Sequence, residues 1–140
     1  MNLDTLGWNS FFREQTNAID ISGFDIGRIF TENRTNYLLY CRYGELSGEV
    51  TGKLLYSSSP TELPKVGDWV VIDVFTDERK AIIHCVLERK SCFLRKVAGK
   101  KTEEQVIAAN IDLVFIVQSL DAGYNPRRLE RYLVMAYESR

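Results

Sequence analysis

Between Arg89 and Lys101 the chain carries Arg89, Lys90, Arg95, Lys96, Lys100 and Lys101 with no acidic residue among them, and Phe93 lies in the same stretch. Cations at this density neutralise phosphates and an interleaved aromatic ring stacks on a base, so the segment has the chemistry of nucleic-acid binding. A solvated linker between two domains has the same composition, and the residues alone leave both readings open. The charge is local. Residues 1 to 88 hold eight basic and thirteen acidic side chains, the chain after Lys101 is slightly acidic, and the formal net charge is -1.

Other reactive residue types do not assemble into a site. His84 is the only histidine. It falls in a predicted strand with Cys85 on the opposite face, so no second metal ligand shares its side, and it reads as a hydrogen-bonded strand residue. The acidic neighbours Asp77-Glu78 and Glu103-Glu104 read as solvated surface rather than as a catalytic carboxylate pair. Cys41, Cys85 and Cys92 are odd in number and form no Cys-x-x-Cys, which predicts reduced, buried thiols in place of a disulfide framework or a zinc knuckle. No Gly-x-x-x-x-Gly-Lys-Ser/Thr phosphate loop occurs, and Gly23, Gly27 and Gly67 read as isolated turn glycines. Tyr37, Tyr40, Tyr43 and Tyr56 fit either stacking surfaces or a barrel core.

The elements that would position the basic segment are mostly β. Asn9 or Ser10 can cap a short helix running through Gln15, and its Phe11 and Phe12 would pack on the module that follows. Ile26 to Asn33 and Tyr37 to Tyr43 form a predicted hairpin across Asn33-Arg-Thr-Asn36, and Gly44-Glu45 turns into a third strand, Leu46 to Leu55, with bulges at Gly48 and Gly52. Tyr56 to Lys65, with two prolines and a serine run, reads as a mobile loop. Strands at 67–75 and 81–87 complete five strands in about 65 residues, which favours a small closed OB-type barrel over a sandwich.

After the basic segment the pattern changes. Leu113 to Val117 is an unbroken apolar run, predicting a parallel strand buried on both faces. Asn125 as N-cap, Pro126 in the first turn, and Leu129, Tyr132, Leu133, Ala136 and Tyr137 at three- and four-residue spacing predict an amphipathic helix. The fold class is therefore mainly β: a five-stranded OB barrel with a short N-terminal helix over residues 1–101, then over 102–140 the first strand and helix of an incomplete α/β domain. No apolar run approaches the roughly 20 residues that span a bilayer, and Met1 to Trp8 has no secretory pattern. A cytoplasmic protein without membrane contact is expected.

Leu6-Gly-Trp-Asn-Ser-Phe-Phe12, Gly52-Lys-Leu54, Gly67-Asp-Trp-Val70, Arg89-Lys-Ser-Cys-Phe-Leu-Arg95, Gln105 to Asp112 and Leu129-Glu-Arg-Tyr-Leu133 come in the order and spacing of one family. Together they resemble the bacterial ribosome small subunit-dependent GTPases (the RsgA or YjeQ family), whose GTPase motifs are circularly permuted. The resemblance implies an OB barrel that docks on the 30S subunit and its 16S rRNA, then a GTPase domain, then a small zinc-binding domain. Lys53, Arg89, Lys90, Arg95, Lys96, Lys100 and Lys101 become the candidate RNA-binding residues. The family's Asn-Lys-x-Asp motif, phosphate loop and switches are not within these 140 residues. Without them nothing stabilises the charge that develops in phosphoryl transfer, so the chain is expected to be inactive alone. No catalytic, cofactor or metal residues are assigned to it; GTP, Mg²⁺ and Zn²⁺ are expected of the full-length family member.

Two rival readings of the residues are an autonomous module binding single-stranded nucleic acid or oligosaccharide, and a structural adaptor that binds protein. An Asn-Lys-x-Asp motif in the sequence beyond Arg140 would favour the GTPase reading, salt-dependent RNA binding would exclude the oligosaccharide, and an adaptor would show neither. A homodimer through residues 112–137 is also expected, because a strand that is apolar on both faces and unpaired on both edges is a template for association.

Overall fold

A computed structural model describes residues 1–96, 104–121 and 123–139, with the side chain of Lys96 outside this set. Lys100 and Lys101 fall outside the described residues. A 3-10 turn at Leu3–Leu6 leads to α1 (Ser10–Ala18), then β1 (Asp25–Glu32), β2 (Tyr37–Cys41), β3 (Gly44–Val50), α2 (Gly52–Ser57), β4 (Trp69–Phe75) and β5 (Lys80–Val86). β6 (Cys92–Lys96), β7 (Glu104–Ala109) and α3 (Pro126–Glu138) follow.

The first five strands close in the order β1-β2-β3-β5-β4, with β4 returning to β1. All pairs are antiparallel except β3 with β5, where Ser47 faces Lys80 and Val50 faces Ile83. That closure is the OB barrel expected from the strand spacing. Its interior holds Ile29, Leu39, Leu46, Val70, Ile72 and Ile83. Leu39 fills the centre because its neighbours are glycines: a Cβ on Gly27 would lie 2.8 Å from Leu39 Cδ1, and one on Gly48 2.8 Å from Leu39 Cδ2. Gly48 is thus a space-maker and not the bulge expected from its residue type. The register shifts of the barrel lie at Ile29/Thr31 and Val71/Ile72.

A second apolar cluster covers the outside of β1 and β4, where Phe12, Ile26, Trp69, Val71 and Leu87 are buried beneath α1 and the preceding turn. Asn9 caps α1, its side chain accepting the N–H of Phe11 at 3.0 Å. Trp8 meets Trp69 edge-on with ring centroids 4.8 Å apart. The N-terminal residues therefore pack on the barrel as their apolar spacing predicts.

Three expectations are corrected. The third strand ends at Val50, and Gly52-Lys-Leu54 lies in helix α2, capped by Thr51, whose hydroxyl accepts the N–H of Leu54 at 3.1 Å. A cap three residues ahead of an apolar side chain outweighs strand propensity there. The loop from Tyr56 to Lys65 is anchored at its far end, where Arg89 donates to the carbonyls of Thr61 and Leu63 and Pro64 is fully buried. Finally, residues 113–119 form no strand. The ladder forms earlier: β7 pairs antiparallel with β6, and Ala108 bridges Val66 in parallel. A strand exists only where a partner offers hydrogen bonds, and β7 has two while 113–117 has none among the described residues. The C-terminal helix is as expected, with Asn125 capping it through Arg128 N–H at 3.1 Å and Pro126 in its first turn.

Candidate nucleic-acid interface

The chain leaves the barrel after β5 and runs straight into the cationic segment, so the barrel itself fixes where those charges begin. Lys90 is exposed just before β6, and Arg95 is exposed on it. Lys96 ends that strand opposite Glu104. Lys53 is also exposed but belongs to α2, a separate element. The structure thus brings Lys90, Arg95 and Lys96 onto one outgoing segment, and does not join Lys53 to them among the described residues.

Arg89 has a different environment from the other candidates. Its Nε and Nη2 donate to the two carboxylate oxygens of Asp68 at 2.8 and 2.7 Å, and Nη1 and Nη2 donate to Thr61 and Leu63 carbonyls at 2.6 and 3.0 Å. Asp68 is fully buried and also accepts the Lys65 N–H at 2.8 Å. The Asp68 hydrogen bonds hold the Arg89 pKa above its ordinary value against the effect of burial. A guanidinium spent on a buried carboxylate and two carbonyls has little left for a phosphate, so the geometry makes Arg89 a fastener between barrel and basic segment.

A second group of fasteners closes the same junction. Arg28 donates through Nη1 to the carbonyl of Leu6, through Nη2 to that of Asn110 at 2.8 Å, and through Nε to that of Gly67 at 3.3 Å, thereby joining the N-terminal turn, the start of β4 and the end of β7. Its guanidinium carbon also sits 5.6 Å from the Trp69 ring. Burial lowers the Arg28 pKa and Asp112 opposes that shift. Ala109 N–H donates to Val66 carbonyl at 2.8 Å. Gly67, at φ +92°, admits this approach, because a Cβ there would lie 1.9 Å from the Ala109 oxygen. A cleft of about 330 Å³ opens beside the junction, bounded by Phe12, Arg28, Lys90, Asn110 and Asp112.

Sequence reasoning does not single out Asp68, Arg28 or Asn110, since their partners lie 21, 39 and 43 residues away. One signal points to Asp68 and Asn110, though not to Arg28: Gly67-Asp-Trp-Val70, Arg89 to Arg95 and Gln105 to Asp112 all carry the family resemblance, and all three meet here. The tyrosines divide. Tyr37 packs against the barrel core, Tyr40 stacks on Phe30 at 4.2 Å, and Tyr43 and Tyr56 are 52% and 89% exposed. Exposed Glu45 and Glu49 stand on β3, so the barrel face that OB proteins commonly present to nucleic acid carries negative charge here. Among the described residues no group of three or more His, Cys, Asp or Glu could hold a metal ion, and no helix is long and apolar enough to cross a membrane.

An OB barrel with a two-stranded ribbon on its exit has counterparts among solved proteins. The crystal structure of YjeQ from Thermotoga maritima superposes with a TM-score of 0.54 at 20% identity, covering 84% of this chain and 38% of that one. YloQ, described as a circularly permuted GTPase, superposes at 0.51 and 17% identity over 80% of this chain and 36% of that one. What these two structures share with this chain is the fold. In sequence, a family model described as RsgA GTPase matches residues 86–140. The Small ribosomal subunit biogenesis GTPase RsgA of Opitutus terrae is 35% identical over 99% of this chain and 40% of its own length, and RsgA 2 of Lactiplantibacillus plantarum is 41% identical over 84% and 33%. Over nearly its whole length the chain is similar to proteins of the RsgA family. It spans about two fifths of the length of the relatives it matches.

Proposed function

We propose that this chain is the ribosome-docking part of a GTPase acting in late maturation of the small ribosomal subunit in the cytoplasm, and that it binds 16S rRNA within the 30S particle. The observation that carries the role is the relationship to proteins named for small-subunit biogenesis over 99% of the chain. The exposed cations after β5 support the mode of binding. Lys90, Arg95, Lys96, Lys100 and Lys101 form the phosphate-binding set, Lys53 adds a separate cation, and Arg89 supports them from within.

Residues 1–101 hold the docking module and 102–140 the start of the GTPase region, although β7 packs back on the barrel and so serves both. GTP and Mg²⁺ belong to the family's activity. The residues present here do not form a phosphate loop, and no step of hydrolysis or zinc binding is assigned to them. Self-association through residues 112–137 is part of the same proposal, because Leu113, Phe115 and Val117 are 68%, 82% and 89% exposed.

Binding to 30S subunits or 16S rRNA fragments across a salt series tests the docking. Arg95→Glu with Lys96→Glu should weaken binding strongly, and the salt dependence should flatten by about one unit of slope for each phosphate no longer neutralised. Lys80→Glu, at an exposed turn on the barrel where Lys80 pairs with Glu78 at 3.2 Å, should change little. Lys65 is less suited as a control because its side chain is largely buried where it pairs with Glu32 at 2.5 Å. Equal weakening by the two changes would return 89–101 to the role of a linker.

A further inference from the structure

We propose that Asn110 is a positioning residue that, together with the fasteners Arg89 and Arg28, holds the cationic ribbon β6–β7 at one fixed angle to the barrel. The chain leaves the barrel after Leu87 and meets it again at Ala109, with strands β6 and β7 in between. A ribbon attached by two single-chain crossings pivots unless the crossings are tied to each other and to the body beneath. Asn110 makes both ties with one buried side chain. Its Oδ1 accepts the N–H of Lys90 on the outgoing crossing at 2.8 Å, and its Nδ2 donates to the Gly67 carbonyl of the barrel at 3.1 Å. Its own N–H donates to the Ser91 carbonyl at 2.9 Å, and its carbonyl accepts from Arg28.

The residue type fits the task. Asn110 has φ +54°, in the left-handed region that asparagine tolerates better than other side chains, glycine apart. Glycine would keep that backbone and make neither tie. Aspartate would keep the acceptor for Lys90 and lose the donor to Gly67. A ribbon held in place before it meets RNA loses less freedom on binding than one that must be ordered at that moment, so Asn110 raises affinity without touching a phosphate. This consequence rests on the docking reading above; the fixed angle does not.

The test uses the 140-residue chain and its Asn110→Gly variant. In the unmodified chain the amides of Lys90, Ala109 and Asn110 should exchange with solvent about as slowly as Leu87, whose N–H is bonded to Trp69 within the barrel. In Asn110→Gly, Lys90, Ala109 and residue 110 should all open about tenfold faster or more, as removal of two hydrogen bonds implies, while Leu87 is unchanged. Acceleration of Lys90 alone would overturn the proposal, since it would show a local bond and not a tie across the junction. Fast exchange of all three in the unmodified chain would overturn it too. Should the glycine variant lose its barrel, Asn110→Asp decides instead: Ala109 must open faster while Lys90 stays protected.

RNA binding supplies the second readout. Asn110→Gly should bind rRNA more weakly with an unchanged salt slope, whereas charge reversal on the ribbon lowers the slope. A lowered slope in Asn110→Gly would mean that fewer neutralised phosphates, not a looser orientation, explain the effect, and would overturn the positioning role. If the unmodified chain binds no RNA, the docking reading fails, and the exchange measurements still decide the fixed angle.

Discussion

Two apolar runs in this chain have similar composition and opposite surroundings. Trp69-Val-Val-Ile72 is buried on both faces: Val70 and Ile72 point into the barrel, and Trp69 and Val71 lie beneath α1. Leu113 to Val117 has no ladder, and Leu113, Phe115 and Val117 are mostly in solvent. An apolar run states that a segment needs cover on two sides, but not which part of the chain supplies it. For residues 69–72 the cover comes from antiparallel neighbours inside a closed barrel and from the N-terminal helix, far away in sequence. A parallel sheet with helices is only one way to bury both faces.

The largest expected difference between the runs is in stability. Trp69→Ala removes a fully buried ring that touches Trp8 and Phe12, and should cost about 3–5 kcal/mol by urea unfolding. At concentrations too low for self-association, Phe115→Ala should change stability by less than about 0.5 kcal/mol, as for an exposed position. Equal effects would mean that 113–117 is covered in solution. Self-association comes next. Phe115→Ser with Val117→Ser should weaken dimerisation by about tenfold or more, given roughly 1.5–3 kcal/mol for burying each such side chain. Light scattering over a concentration series checks it; a monomeric unmodified chain at all concentrations removes the dimer.

The smallest effect is on the thiols that flank the covered run. Cys41 is inside the barrel and Cys85 lies opposite Val71 on the outer side, and burial raises the pKa of both above the usual thiol value. Folding therefore favours the protonated thiol. The stability this contributes is complete below the unfolded thiol pKa of about 8.5 and is lost as pH rises through the folded values. A Val117→Cys variant should react with an alkylating agent at pH 8 far faster than either native residue. Equal rates at Cys85 and residue 117 would show that the outer face of residues 69–72 is open.

Local features of this protein can be read directly from its residues. Asn9 ahead of two phenylalanines and Asn125-Pro126 ahead of an amphipathic repeat mark helix starts, because a cap satisfies N–H groups two or three positions away. The alternating strands and the turn at Asn33 to Asn36 are visible for the same reason. The basic segment is visible as composition. Helix α2 is hidden because its cap, Thr51, follows a run that also suits a strand.

What depended on the fold is the pairing of distant groups. Nothing local distinguishes Arg89, bound to Asp68, from Arg95, left in solvent, since both are arginines of one cationic stretch. The barrel decides by bringing a buried carboxylate beside the first and not the second. The same holds for the parallel pairing of β3 with β5, for Leu39 between two glycines, and for Asn110 between Lys90 and Gly67. Spacing determines which groups meet within a turn of helix or a step of strand; over longer separations only the closed path of the chain does, because the energy of an ion pair or a buried amide depends on the partner and the dielectric it finds there.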